Sequence, residues 1–152
     1  MANGRNSALR KHLYPVPRLA VGQWLAEKKL ANAMMDLSDG LSTDLVRLCM
    51  ASGVGARIEK EKLPGSSLVP REEGLELALH GGDDYELLFA VRPGMVEKLP
   101  EEYRGIALTR IGEIAAERKI LVEESGKRRA LVSGGWDPFR LSSGKSRKKR
   151  KG

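Results

Sequence analysis

The sequence predicts an α+β domain in which a mixed β-sheet packs against helices. Three observations carry that reading. Helical and alternating apolar periodicities both occur. Strand-like and helix-like segments follow one another without strict alternation. Apolar residues make up 41% of 152 positions, enough for one core of ordinary size and too few for two comfortable domains. Charged residues at 31% stay within the range of packed domains, and seventeen glycines with seven prolines mark frequent turns.

Residues 1–11 are polar and basic and read as a flexible N-terminal segment. Pro15 and Pro17 keep the next stretch extended, because each disfavours helix in the residue before it. Leu19, Trp24 and Leu25 give an apolar side to a helix over 18–29, and Ala33, Met35 and Leu37 alternate with Met34 and Asp36 in a strand over 32–37. Leu41, Leu45, Leu48, Cys49 and Ser52 then recur at helical spacing, with Gly53 as the stop. Val54–Glu59 reads as a second strand, 60–70 as a loop with two prolines, and Arg71–Leu79 as a short helix. An apolar strand over 85–91 follows the turn at His80–Asp84, and Pro93 starts a short helix ending near Leu99 and Pro100. Ile106–Ile114 and Lys119–Glu123 read as strands, the latter turning at Ser125-Gly126-Lys127 towards Ala130–Val132. Ser133–Phe139 closes a body spanning 12–140, and 141–152 reads as a disordered basic tail.

The net charge of +7 belongs to the ends. Residues 1–18 and 140–152 hold eleven of the 27 basic residues and no acid, so the stretch between carries 16 bases against 20 acids. A high isoelectric point therefore does not make the fold a nucleic-acid binder. The tail from Lys145 to Lys151 could hold a polyanion, such as RNA or anionic lipid, without specificity. Seven aromatic residues are too few for a module built on stacking platforms. One cysteine, Cys49, excludes an internal disulfide, and Cys and His together are too few for a structural zinc site. The start has no apolar stretch typical of a signal peptide, and the longest apolar run is Leu87–Val91, which leads to the expectation of a soluble, cytoplasmic chain.

Three polar constellations are candidates for chemistry. Asp36, Ser38 and Asp39 lie between a strand end and a helix start. Ser38 as N-cap, with Asp39 in the first turn, would account for two of them structurally. Asp36 would remain, a carboxylate where the strand pattern predicts burial or a crevice. Two carboxylates and a hydroxyl within four residues also suit magnesium, which takes oxygen ligands and shares its shell with substrate phosphates. The second constellation is His80-Gly81-Gly82-Asp83-Asp84-Tyr85-Glu86, whose three acids in four residues face either water or a cation. The third is Gly134-Gly135-Trp136-Asp137, where the indole serves either as a core plug or as a face for a flat or cationic ligand. His12 and His80 have no third ligand near them in sequence, and Cys49 falls on the apolar side of its helix.

Taken in order, Met34-Met35-Asp36-Leu37-Ser38-Asp39-Gly40-Leu41, Ala51–Ala56, Leu79–Phe89, Arg110–Ile114 and Gly135–Phe139 resemble the thiamine-monophosphate kinases, over nearly the whole body. That family lies in the aminoimidazole-ribonucleotide-synthetase-related superfamily, whose members have two α+β domains, and the resemblance here is to the C-terminal one. It implies transfer of the γ-phosphoryl group of ATP to thiamine monophosphate, giving thiamine diphosphate, with magnesium. By the same resemblance Asp36 and Asp39 bind magnesium, Ser38 contacts ATP, and Asp83 and Trp136 contact the thiamine phosphate. A partner N-terminal kinase domain, absent from this sequence, is implied to supply further magnesium-binding aspartates, most of the nucleotide site and the core of a homodimer. The chain alone is accordingly expected to be an incomplete kinase. Asp83 stands where the family usually has Glu, and Pro138 where it usually has His, so no role follows for Pro138. The rival readings are another superfamily member, of selenophosphate-synthetase or hydrogenase-maturation type, and a non-enzymatic polyanion-binding module.

Overall fold

A computed structural model describes residues 13–135. The expectations for the segments 1–11 and 141–152, for His12 and for Trp136 fall outside these residues. The elements are α1 (Leu19–Glu27), β1 (Ala31–Asp36), α2 (Leu41–Ser52), β2 (Gly55–Glu59), a 3-10 turn (Lys60–Lys62), α3 (Arg71–His80), β3 (Leu87–Val91) and a second 3-10 stretch (Pro93–Lys98). Five short strands follow: β4 (Glu102–Tyr103), β5 (Ile106–Ala107), β6 (Gly112–Ala115), β7 (Ile120–Glu124) and β8 (Lys127–Ala130).

The main sheet has the order β6-β2-β7-β8 and is mixed, as expected: β2 runs parallel to β7, while β6 and β8 are antiparallel to their neighbours. One core lies between this sheet and the helices. Leu41, Leu45 and Cys49 from α2 and Leu75 and Leu79 from α3 pack against Ala56, Ile58 and Val122. The spacing 41, 45, 49 explains why α2 forms: it is one apolar stripe covered by a sheet. Gly53 ends it in the left-handed conformation (φ 67°), as the sequence predicts.

A second, two-stranded ribbon pairs β1 antiparallel with β3, Met34 opposite Phe89 and Asp36 opposite Leu87. It is covered on both sides. Leu88 packs on the first core, whereas Met34, Leu87 and Phe89 pack on a second cluster built by Val21, Leu25 and Leu30. A continuous apolar run such as Leu87-Leu88-Phe89-Ala90-Val91 fits a strand buried on both faces. Trp24 closes the second cluster by stacking on Tyr103, with ring centroids 4.3 Å apart.

Several boundaries differ from the sequence reading. The single strand expected over 106–114 is two strands, because Arg104 and Gly105, both at positive φ, fold β4 and β5 into a tight hairpin, and Leu108 N–H bonds Glu101 C=O in register with that hairpin before β6 begins at Gly112. The last strand falls at 127–130 rather than at 130–132. It is an exposed edge of Lys, Arg, Arg and Ala, joined to β7 through Ser125 and Gly126 at positive φ. Within the stretch expected to be a loop, Lys60 is buried at 2% exposure, its ammonium 2.5 Å from Glu72, 2.8 Å from Glu76 and 2.5 Å from Glu124.

Candidate functional site

The site starts where the β1–β3 ladder would end. Leu37 N–H donates to Glu86 C=O, Tyr85 N–H to Leu37 C=O and Asp83 N–H to Ser38 C=O, each at 2.8 Å. These bonds hold segment 37–39 beside segment 83–86, so the first two polar constellations form one surface. To keep this pairing without a regular strand, Asp83 (φ 63°) and Tyr85 (φ 50°) enter the left-handed region, which is uncommon for residues with side chains. The strand expected from 85 therefore begins at 87. Gly40 (φ 104°) turns the chain into α2, and a Cβ there would lie 2.7 Å from Gly81 C=O.

This geometry corrects the expected cap. The helix begins at Leu41, the N-cap position is Gly40, and no side chain caps it. Ser38 and Asp39 sit in the turn before the helix, and their two N–H groups donate to the Asp44 carboxylate, each at 3.0 Å. Asp44 is 1% exposed, and Arg47 bridges it at 2.9 Å to the Asp39 carboxylate, with which Arg47 also pairs. Asp36 is exposed rather than buried. As the last residue of a strand lying against the acidic loop, it presents its carboxylate outward.

The loop carries concentrated negative charge. Tyr85 donates its hydroxyl to Asp83 at 3.1 Å. That bond, the charge of Asp83, some burial and then the charges of Asp36 and Asp39 all push the phenol upward, so these groups share one field. Burial, followed by repulsion from Glu86 and Asp83, pushes the Asp84 carboxyl up. Glu86 is gripped by both arms of Arg18, at 2.8 and 2.6 Å, and that grip holds Arg18 above its ordinary value.

The third constellation arrives from the other end of the chain. Ser133 shares a hydrogen bond with Thr43 at 2.8 Å, and Gly134 N–H donates to Ser42 Oγ at 3.2 Å. Ser42 also bonds His80 Nδ1 at 2.9 Å. Gly135 passes so near the Asp39 carbonyl that a Cβ there would overlap it. Segment 133–135, which leads into Trp136, is thus fastened across the start of α2. Three successive buried polar residues do the fastening: Ser42 and Thr43 hold this segment, and Asp44 holds the turn at 38–39.

The structure therefore brings Asp36, Ser38, Asp39 and Asp83 into one neighbourhood. Sequence reasoning missed Asp44, Arg47, Ser42, Thr43 and Arg18, and it credited His80 with nothing. A signal for Asp44 existed: it stands three residues after Leu41 and next to Leu45, an acid inside the apolar stripe of its helix. Among the described residues, no group of three or more His, Cys, Asp or Glu side chains could hold a metal ion. Nor is any described helix long and apolar enough to cross a membrane.

The family model for the AIR synthase related protein, C-terminal domain, matches residues 3–123. This chain belongs to that family. Its AIR-synthase-related fold is also found in solved structures. A thiamine-monophosphate kinase from Stenotrophomonas maltophilia superposes with a TM-score of 0.69 at 35% identity, over 79% of this chain and 40% of that one. AaThiL complexed with AMPPCP and TMP superposes with a TM-score of 0.71 at 32% identity, over 90% of this chain and 42% of that one. In sequence, the thiamine-monophosphate kinase of Salmonella typhimurium is 41% identical over 110 residues, 70% of this chain and 31% of that protein. This AIR-synthase-related chain spans about a third of the length of the curated relatives it matches.

Proposed function

We propose that this chain forms the C-terminal part of the active site of a thiamine-monophosphate kinase, which transfers the γ-phosphoryl group of ATP to thiamine monophosphate and yields thiamine diphosphate. The observation that carries the reading is the convergence of the polar loops at 36–40, 80–86 and 133–135. The first two lie in segments that resemble that enzyme, the third leads into another, Gly135–Phe139, and the similar AaThiL was solved with AMPPCP and TMP. The acceptor is itself a phosphate anion, so no strong general base is needed. Positioning and charge cancellation carry the reaction.

The donor set suits magnesium. Asp36 offers an exposed carboxylate, and Asp39 offers one that already draws a cationic side chain, Arg47. Two carboxylates completed by phosphate oxygens and waters are what this hard cation takes, and a closed cage of three protein acids is not required. When bound, magnesium would neutralise the phosphate oxygens between donor and acceptor. In this reading Asp36 and Asp39 hold the ion, and Ser38 contacts ATP beside it. Asp83 and Trp136 receive the thiamine phosphate, the acidic loop and the indole face attracting the positively charged thiazolium. Asp83 reaches one methylene less far than the glutamate usual in the family. The remaining length of the relatives would supply the other magnesium ligands, most of the nucleotide site and the contacts of a cytoplasmic homodimer.

The test is formation of thiamine diphosphate from thiamine monophosphate, ATP and magnesium, with this chain alone and with the remaining portion of a relative added in trans. Product is expected when both portions are present and is expected to fall by about a hundredfold or more with Asp36→Asn. Silence in both arms, with no binding of thiamine monophosphate by the folded chain, would refute the reading.

A further inference from the structure

We infer that Asp44 is a positioning residue for the cation-binding turn: its buried carboxylate holds the backbone of Ser38 and Asp39 in place and, through Arg47, orients the Asp39 side chain. This inference rests on the reading of Asp36 and Asp39 as cation ligands. Its own support is independent of that reading and geometric.

A six-residue excursion from Asp36 to Leu41 has few ways to fix its shape. Gly40 sits at positive φ, no side chain caps the helix, and the Ser38 and Asp39 N–H groups point at Oδ2 of one acid, 3.0 Å from each. An ionised acceptor binds two N–H groups more tightly than a hydroxyl or a carbonyl would. The acid itself is 1% exposed, on the first turn of α2, in the same stripe as Leu41 and Leu45, which enter the core. Its second oxygen takes Arg47, and the same guanidinium nitrogen reaches the Asp39 carboxylate. Asp44 is therefore linked to Asp39 twice, once through the backbone and once through a shared cation. An acid that merely balanced the helix end would need neither link. Groups that fix ligand orientation from behind commonly change metal affinity by about 10–100-fold when removed.

The experiment uses the full chain with Mn2+ as the probe. It reads amide hydrogen exchange and the paramagnetic broadening of backbone resonances over 36–40. In the parent, the Ser38 and Asp39 amides should exchange slowly, and Mn2+ should broaden this turn. Asp44→Ala should free both amides and weaken Mn2+ binding by about tenfold or more, while the amides of α2 stay protected. Asp44→Asn should restore both amide bonds, because its carbonyl oxygen can accept two donors, but its NH2 would face the Arg47 guanidinium and lose that link, so Mn2+ binding should recover only in part, to a level between Asp44→Ala and the parent. Such rescue separates acceptor geometry from a general loss of stability. Rapid exchange of the two amides in the parent would overturn the proposal without any variant, which covers the case in which Asp44→Ala does not fold. Unchanged Mn2+ affinity in a folded Asp44→Ala would overturn the role of Asp44 alone. No broadening of 36–40 in the parent would refute the cation reading, and the inference with it.

Discussion

Replacing Gly135 by alanine should detach the closing segment from the site while leaving the core intact. A Cβ at this position would overlap the Asp39 carbonyl oxygen and lie 2.6 Å from Thr43 Oγ1, and real Cβ contacts stay above about 3.0 Å. The carbonyl cannot yield, because its residue is held by the Asp44 bond, so segment 133–135 must move instead. A shift of about 1 Å takes the Ser133–Thr43 and Gly134–Ser42 bonds, now at 2.8 and 3.2 Å, beyond hydrogen-bonding range. Each is worth about 0.5–1.5 kcal/mol, so the loss is about 1–3 kcal/mol. At about 2–4 °C per kcal/mol for a chain of this size, Tm should fall by about 2–12 °C. The lower end applies if the segment simply lifts off, since a detached segment cannot weaken the body further. Circular dichroism melting gives the Tm, and exchange of the Gly134 amide reports the latch directly. Gly94→Ala is the control, for nothing lies within 4 Å of that position. A Gly135→Ala chain that melts with the parent and keeps its Gly134 amide protected would refute the reasoning.

The Lys60 cluster and the acidic loop yield opposite pH signatures. Burial opposes the Lys60 charge, but the bonds to Glu124, Glu72 and Glu76 outweigh it and raise the ammonium above its ordinary value. Its contribution is complete below about pH 10.4 and is lost only as pH climbs through the raised value. Glu76 is lowered, first by its Lys60 bond, so its contribution is present above the ordinary glutamate range and fades as pH falls through the lowered value. Lys60→Met should therefore destabilise by about 1–3 kcal/mol at pH 7 and by much less near pH 2, below the lowered value, read by urea titration; equal losses at both would sink the account. Asp84 is shifted the other way. Its raised value means that ionisation works against the fold, so stability is lost as pH rises through that value. Asp84→Asn should raise stability at pH 7 slightly, by no more than about 0.5 kcal/mol because water screens this exposed carboxylate, and leave it unchanged at pH 3, and a loss at pH 7 would contradict this.

Local chemistry was legible in the sequence where one residue decides one conformation. Gly53 stops α2, Ser125 and Gly126 make the turn into β8, and the apolar stripe of α2 faces the sheet. Less legible was whatever depends on a distant partner. β8 has no apolar residue but Ala130 and is a strand because β7 offers it a free edge. The hairpin of β4 and β5 is two residues on each arm, too short for a periodicity. At the site, the residue types pointed to Asp36, Ser38, Asp39 and the acidic loop, and the resemblance singled out Asp83 within it, but local rules assigned Ser38 to a cap that Gly40 occupies. Asp44 left one signal in the sequence, its place as an acid inside the apolar stripe of α2, but nothing local says what it holds. Its function became visible once the turn before the helix was seen to fold back over it.

The β1–β3 ribbon has a consequence for the order of folding. An isolated pair of strands is marginal in water, so this one persists because a hydrophobic cluster leans on each side. The loops at 37–39 and 83–86 continue its two strands, and the segment that latches beside them, onto the start of α2, arrives from about 90 residues downstream, Ser133 on Thr43. Contacts that distant form late, after the loop-closure entropy has been met by other interactions. A chain still half-collapsed therefore keeps its two groups of acids, at 36–39 and 83–86, apart, with no concentrated field to trap cations. Assembly of the acidic surface becomes a report that both clusters, and the ribbon between them, have reached their native places.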